Sequence, residues 1–228
     1  MAGNYKLTYS VDMVFCIDAT GSMGGVIDMV KRNALNFYND VVTAMAEKKK
    51  TIDELRVKIV AFRDYKADGE DAMMVTDFFS LPASTSDFEK CVHSIEAFGG
   101  GDDPEDGLEA LAYSIKSDWN TAGMKKRQVI VVWTDADTHE LGFGSTEPNY
   151  PNGMARDFSE LTAWWGDVQN KGYVDPHARR LLLFAPSSHY WNTISDTWDN
   201  VIHFPSAAGK GLGEFDYKQI IDAISNTI

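Results

Sequence analysis

Val11–Gly25, VDMVFCIDATGSMGG, decides how the rest of the chain is read. Val11 to Ile17 is an apolar run of strand length and reads as a buried strand. It ends in Asp18, then Thr20, Gly21 and Ser22, and a helical pattern starts near Gly24. A carboxylate and two hydroxyls thus hang from the carboxyl end of a core strand, beside a helix N-terminus. In open α/β sheets ligands bind at that edge. Asp with Ser and Thr oxygens is a hard donor set, suited to Mg2+ or Mn2+ rather than zinc.

Working outward, a helix is expected from Gly24 to Glu47, with Val26, Val30, Ala34, Phe37, Val41 and Met45 at helical spacing and a lysine run, Lys48–Lys50, at its end. Leu55–Phe62 reads as strand two and Met73–Phe79 as a shorter third strand. The short link between them predicts a hairpin, hence one antiparallel strand at the sheet edge. Ser86–Ala97 reads as a helix, with Ser86 and Glu89 forming a capping box. Gly99–Glu105, GGGDDPE, is a loop, followed by a helix from Glu105 to Lys116 with Pro104 in its first turn. Val129–Trp133 is an apolar strand ending in Thr134-Asp135-Ala136-Asp137. Residues 138–157 form the longest irregular stretch. Helix Phe158–Gln169, strand Arg180–Ala185, helix His189–Trp198, strand Val201–Phe204 and a closing helix Phe215–Ile228 complete the order. This order predicts a Rossmann-like, doubly wound, mostly parallel sheet with helices on both faces. With no internal repeat or linker, residues 1–228 read as one domain.

The 228 residues suffice for a sizeable core, and 44% hydrophobic and 24% charged content are ordinary for a globular protein. A net charge of −13 argues against general binding to nucleic acid or anionic membrane, which needs clustered Lys and Arg. Cys16 and Cys91 belong to no C-x-x-C pair and read as reduced core residues. The polar start MAGNYKLTYS carries no apolar signal segment, and no apolar run reaches the ~20 residues of a membrane span. The expectation is a cytoplasmic protein.

Three segments are expected to converge at the carboxyl edge: Asp18, Thr20 and Ser22; the loop Gly100-Gly101-Asp102-Asp103; and Asp135. In this order and spacing they resemble the metal-ion-dependent adhesion site of von Willebrand factor type A domains, the family that includes the integrin inserted domain. GGGDDPE, TDADTHE and Arg63-Asp64-Tyr65 look most like the intracellular forms attached to α-kinases. The resemblance implies that Thr20 and Ser22 bind the ion directly and that Asp18 and Asp135 bind it mainly through water. It implies Mg2+ as the ion, with Mn2+ or Ca2+ as alternatives, and a partner protein that supplies a carboxylate to the remaining position. Loop two departs from the family, which places a threonine there; here Asp102 or Asp103 must serve. A directly bound aspartate would neutralise part of the ion's charge and weaken its pull on the partner. The resemblance also implies coupling between the site and the closing helix, reached through Gly209, Gly211 and Gly213. If the loop-two aspartate already holds the site in its resting form, that coupling is weak.

Neighbouring groups have plainer readings. Asp64 reads as a turn residue, His139 as a supporting or surface residue, Glu105 and Asp106 as first-turn helix acids, and Trp164-Trp165 as core. Asp137 is open between turn and ligand. Rival chemistries fail on single residues. TGSMGG lacks the last glycine of a short-chain dehydrogenase turn, where Ile27 stands. DADTH ends in His139 where a phosphatase signature has Thr or Val, and HELGF has Phe143 where a zinc protease has histidine. The expected function is Mg2+-dependent protein binding without catalysis. A metal-dependent phosphoryl hydrolase and a scaffold with a structural metal are the alternatives.

Overall fold

The computed structural model describes residues 7–101, 104–122 and 125–228. Its strands are β1 (Leu7–Asp18), β2 (Lys50–Phe62), β3 (Met73–Val75), β4 (Phe79–Leu81), β5 (Lys126–Trp133), β6 (Arg179–Pro186) and β7 (Val201–Ser206). They form one sheet in the order β3-β2-β1-β5-β6-β7, with β4 also on β2. β1 runs parallel to both β2 and β5, and β5, β6 and β7 continue in parallel. The chain therefore winds away from β1 in both directions. The gap between the carboxyl ends of β1 and β5 is the switch point where such sheets open a crevice. Ile17 pairs with Trp133, so Asp18 and Thr134 leave the sheet side by side.

Alternation along β1 sorts the core into two layers. Val11, Met13, Phe15 and Ile17 face helices α1 (Gly24–Asn33), α2 (Phe37–Glu47), α4 (Thr85–Ser94) and α8 (Tyr217–Thr227). Val14 and Cys16 face α5 (Gly107–Ile115), α6 (Phe158–Trp165) and α7 (His189–Thr197), with Trp165, Trp191 and Trp198 among them. Trp165 is thus core, as read from the sequence, and stacks on Trp198; Trp164 is half-buried beneath Lys116. Cys16 is buried, whereas Cys91 is only half-buried, and both are free. Ile220, Ile221, Ile224 and Ile228 seat α8 as expected.

Several expectations need correction. The helix over 24–47 is two helices. Asn33 Nδ2 donates to Met29 O (2.7 Å), and the bonds at Asn36 and Phe37 shorten to i−3 partners, so residues 34–36 form a turn. The antiparallel edge expected at Met73–Phe79 is split into β3 and β4, both antiparallel to β2. Between them the Thr76 hydroxyl accepts the Ile59 amide (3.0 Å), a side chain standing where a ladder carbonyl would. The capping box at Ser86 is absent: α4 starts at Thr85, because Ser84 and Thr85 already turn back on Ser80 and Pro82. A capping box closes the start of α8 instead, between Asp216 and Gln219. α5 begins at Gly107, two residues later than expected.

Candidate functional site

Strand β1 delivers Asp18 to the carboxyl edge fully buried. Its Oδ1 accepts the Thr20 amide (2.9 Å) and the Thr20 hydroxyl (2.6 Å), and its Oδ2 accepts the Thr134 hydroxyl (2.7 Å). Burial pushes the Asp18 carboxyl up to about 6, and these three bonds oppose that rise. Ser22, in the short helical turn Gly21–Met23 that precedes α1, donates to Asp135 Oδ1 (2.8 Å). The Thr20 and Ser22 hydroxyl oxygens lie 3.4 Å apart. Asp135 Oδ2 accepts the Gly211 amide (2.6 Å), and the Asp135 carbonyl accepts the Gly209 amide (2.8 Å). Four of the sequence-predicted residues, Asp18, Thr20, Ser22 and Asp135, are therefore one connected group. The other two, Asp102 and Asp103, lie outside the described residues.

A described loop-two side chain does face this group: Glu105. A cavity of about 290 Å3 opens beside Thr20, Ser22, Gly99, Gly100, Asp135 and Glu105. Glu105 is buried, and its Oε2 has no hydrogen-bond partner among the described residues. Burial, then the charges of Asp18, Asp64, Asp68 and Asp106, push its carboxyl up to about 9. The first-turn reading of Glu105 is thus corrected. Its amide binds the Asp137 carbonyl and its carbonyl binds the His139 amide, so it crosses to the strand-five loop instead of joining a helix. Gly100, at φ +75°, makes the approach possible: a Cβ there would collide with the Glu105 carboxylate and the Thr20 side chain.

Arg63 fixes the loops from below. Its guanidinium donates to the carbonyls of Ala19 (3.0 Å), Phe98 (3.0 Å), Asp71 (2.5 Å) and Glu96 (2.7 Å) and lies over the Phe98 ring. Loop one and the start of loop two are thereby tied to the end of β2. Asp68, in the short helix α3 (Tyr65–Asp68), accepts the Gly100 amide (3.0 Å).

Asp64 is more than a turn residue. One oxygen caps α3 through Lys66 and Ala67, and Oδ2 meets His139 Nε2 at 2.9 Å. His139 is buried, not on the surface. Asp106, fully buried, accepts the Tyr65 amide (2.7 Å) through Oδ2 and makes no side-chain cap to α5. Burial and the Glu109 charge push it up to about 7. Glu109 accepts the Gly142 amide (2.8 Å) and the Tyr150 hydroxyl (3.0 Å), which pins the irregular stretch 138–157 onto α5. Asp137 accepts the Ser188 hydroxyl (2.6 Å) and its neighbour's amide.

The donor set fits a hard divalent cation. Thr20 and Ser22 each give their single proton to a carboxylate, which leaves hydroxyl lone pairs free on oxygens 3.4 Å apart. Glu105 lines the same cavity, and its Oε2 is buried without a hydrogen-bond partner among the described residues.

The family model described as the von Willebrand factor A domain matches residues 12–143. The Dictyostelium discoideum alpha-protein kinase vwkA is 26% identical over 143 residues, which is 63% of this chain but only 21% of the kinase. Two solved folds cover 95% of the chain. The pilus adhesin SpaC of Lactobacillus rhamnosus GG matches with TM-score 0.53 at 11% identity over 30% of its length. The minor pilin PilB of Streptococcus sanguinis matches with TM-score 0.52 at 13% identity over 60% of its length. At these identities the two structures share the fold alone.

Proposed function

We propose that this chain, which belongs to the von Willebrand factor A domain family, binds a partner protein through Mg2+ at the carboxyl edge of its sheet. The family supports a protein-interaction module. The observation that carries the finer reading is the convergence on one cavity of two hydroxyls with free lone pairs and the buried carboxylate side chain of Glu105. Thr20 and Ser22 are assigned as direct ligands, Asp18 and Asp135 as the carboxylates that orient them, and Glu105 as the loop-two donor. A bound Mg2+ supplies a Lewis-acidic position that a carboxylate from the partner completes. Asp18 holds Thr20 in place through two hydrogen bonds, and Asp135 does the same for Ser22 through one. Ionised against a bound cation, Glu105 would add a third negative charge to the site, strengthening cation binding while weakening capture of an anionic partner.

The test is a pull-down from lysate with Mg2+ and with EDTA, repeated with Asp18→Asn. Partners retained only with Mg2+, and lost with the variant, support the reading. Binding that ignores EDTA overturns it in favour of a scaffold. Turnover of a generic phosphoester with Mg2+ or Mn2+ moves it to a hydrolase.

A further inference from the structure

Behind the edge, on the side of α5, lies a second group of donors that the proposed function does not use. Asp64, Asp106 and His139 each place one ligand atom within 4.8 Å of the others, and all three are buried. They come from three separate places: the end of β2, the residue before α5, and the loop after β5. Among the described residues the only ion pair made by Asp64 is with His139, and none involves Asp106 or Glu109. Buried carboxylates gathered without a cation are costly.

A second, independent observation points to a missing ligand. Asp106 is fully buried, and its Oδ1 has no hydrogen-bond partner among the described residues. The neighbouring Glu109 Oε2 is in the same state. Buried polar atoms are nearly always paired. The fixed ends of these side chains are already satisfied: Asp106 Oδ2 holds the Tyr65 amide, and Asp64 Oδ1 holds the start of α3. What remains directed at the group is Asp64 Oδ2, the His139 ring nitrogen and the Asp106 carboxylate.

We propose that Asp64, Asp106 and His139 hold a second divalent cation, separate from the edge site, of the borderline class that takes mixed imidazole and carboxylate donors. Zn2+ is its best-fitting member and Mn2+ the next. One imidazole with two carboxylates is a poor set for Mg2+, which prefers oxygen donors and retained waters. Zinc–nitrogen and zinc–oxygen bonds of about 2.0–2.2 Å at a tetrahedral angle set two donor atoms roughly 3.3 Å apart. The Asp64–His139 contact at 2.9 Å has only to open by a few tenths of an ångström and give up its proton. Phe143 stacks on the His139 ring (3.8 Å between centroids) and covers the group. The inference does not rest on the edge site binding Mg2+.

The experiment is calorimetric titration of the 228-residue protein with Zn2+ in saturating Mg2+. Wild type is expected to bind one Zn2+. His139→Gln and Asp106→Asn are expected to lower that affinity at least tenfold, and Asp18→Asn to leave it unchanged. Because either variant can fail to fold, the wild type is also crystallised with Zn2+ and its anomalous scattering is mapped. A peak between Asp64 and His139 supports the proposal. No zinc uptake, affinity retained in both variants, or a peak only beside Asp18 and Asp135 overturns it.

Discussion

Asp18 and Asp106 are both fully buried carboxylates, yet Asp18 has both oxygens hydrogen-bonded while Asp106 leaves one without a partner among the described residues. The difference lies in who surrounds them. Asp18 has hydroxyls from Thr20 and Thr134 in reach, so its charge is met by local dipoles with no ligand present. Asp106 has Glu109 and Asp64 in reach, groups of its own sign. Asp18 is therefore satisfied with no ligand present, which suits the reversible cation site proposed for the edge. The cluster behind it carries an electrostatic debt until something positive, a proton or a metal, enters.

Arg63 is the strongest lever on the edge, because its guanidinium ties loop one and the start of loop two to the end of β2. Arg63→Ala removes a charged donor from four loop carbonyls and is expected to cost about 3 kcal/mol or more of stability, since hydrogen bonds from charged groups are worth ~1.5–3 kcal/mol each and do not add fully. Urea denaturation measures it; a loss below ~1 kcal/mol would show that the loops hold themselves.

Asp18→Asn is next. It keeps the shape and removes the charge, and is expected to lower Mg2+ affinity about a hundredfold, ~2.7 kcal/mol, in calorimetric titration. Asp18→Ala is expected to destabilise the fold as well, by stranding the Thr20 amide and the Thr134 hydroxyl.

Glu105→Gln separates charge from shape at the cavity. Mg2+ affinity should fall about tenfold, ~1.4 kcal/mol, while acetate binding to the Mg2+-loaded protein rises. Equal values in both titrations would return loop two to Asp102 or Asp103.

The last effect is one of pH. Asp18 and Glu105 have folded-state values above their ordinary ones, about 6 and about 9, so the folded protein binds more protons than the unfolded chain. Their stabilisation is complete below pH 4 and is lost as pH rises towards 9. In EDTA, melting temperature is expected to fall between pH 5 and pH 9, and Mg2+ should flatten that slope. A melting temperature that rises across the same window would contradict the burial of both groups.

The sheet, the order of its elements along the chain and the loop-one and loop-three residues were legible because each is written in a contiguous pattern, as in VDMVFCID and VIVVWTD. Glu105 was not, because Pro104 just before it marks a helix start there, whereas the helix begins at Gly107. The Asp64–His139 pair spans 75 residues and the Tyr150–Glu109 bond 41, and no local periodicity records such meetings. The break at 34–36 was hidden for another reason: the apolar spacing continues through it, and only Asn33 turning onto Met29 O marks the turn.

The hydrogen bonds from Gly209 and Gly211 to Asp135 also bear on the order of events during synthesis. Loop one leaves the ribosome first, and Gly211 follows roughly 190 residues later, about 10–40 s at translation rates of ~5–20 residues per second. Until then Asp135 lacks the two amides that hold it towards Ser22. The edge is thus assembled only once Gly211 has emerged, so a nascent chain displays the loop-one residues well before Asp135 is held beside Ser22.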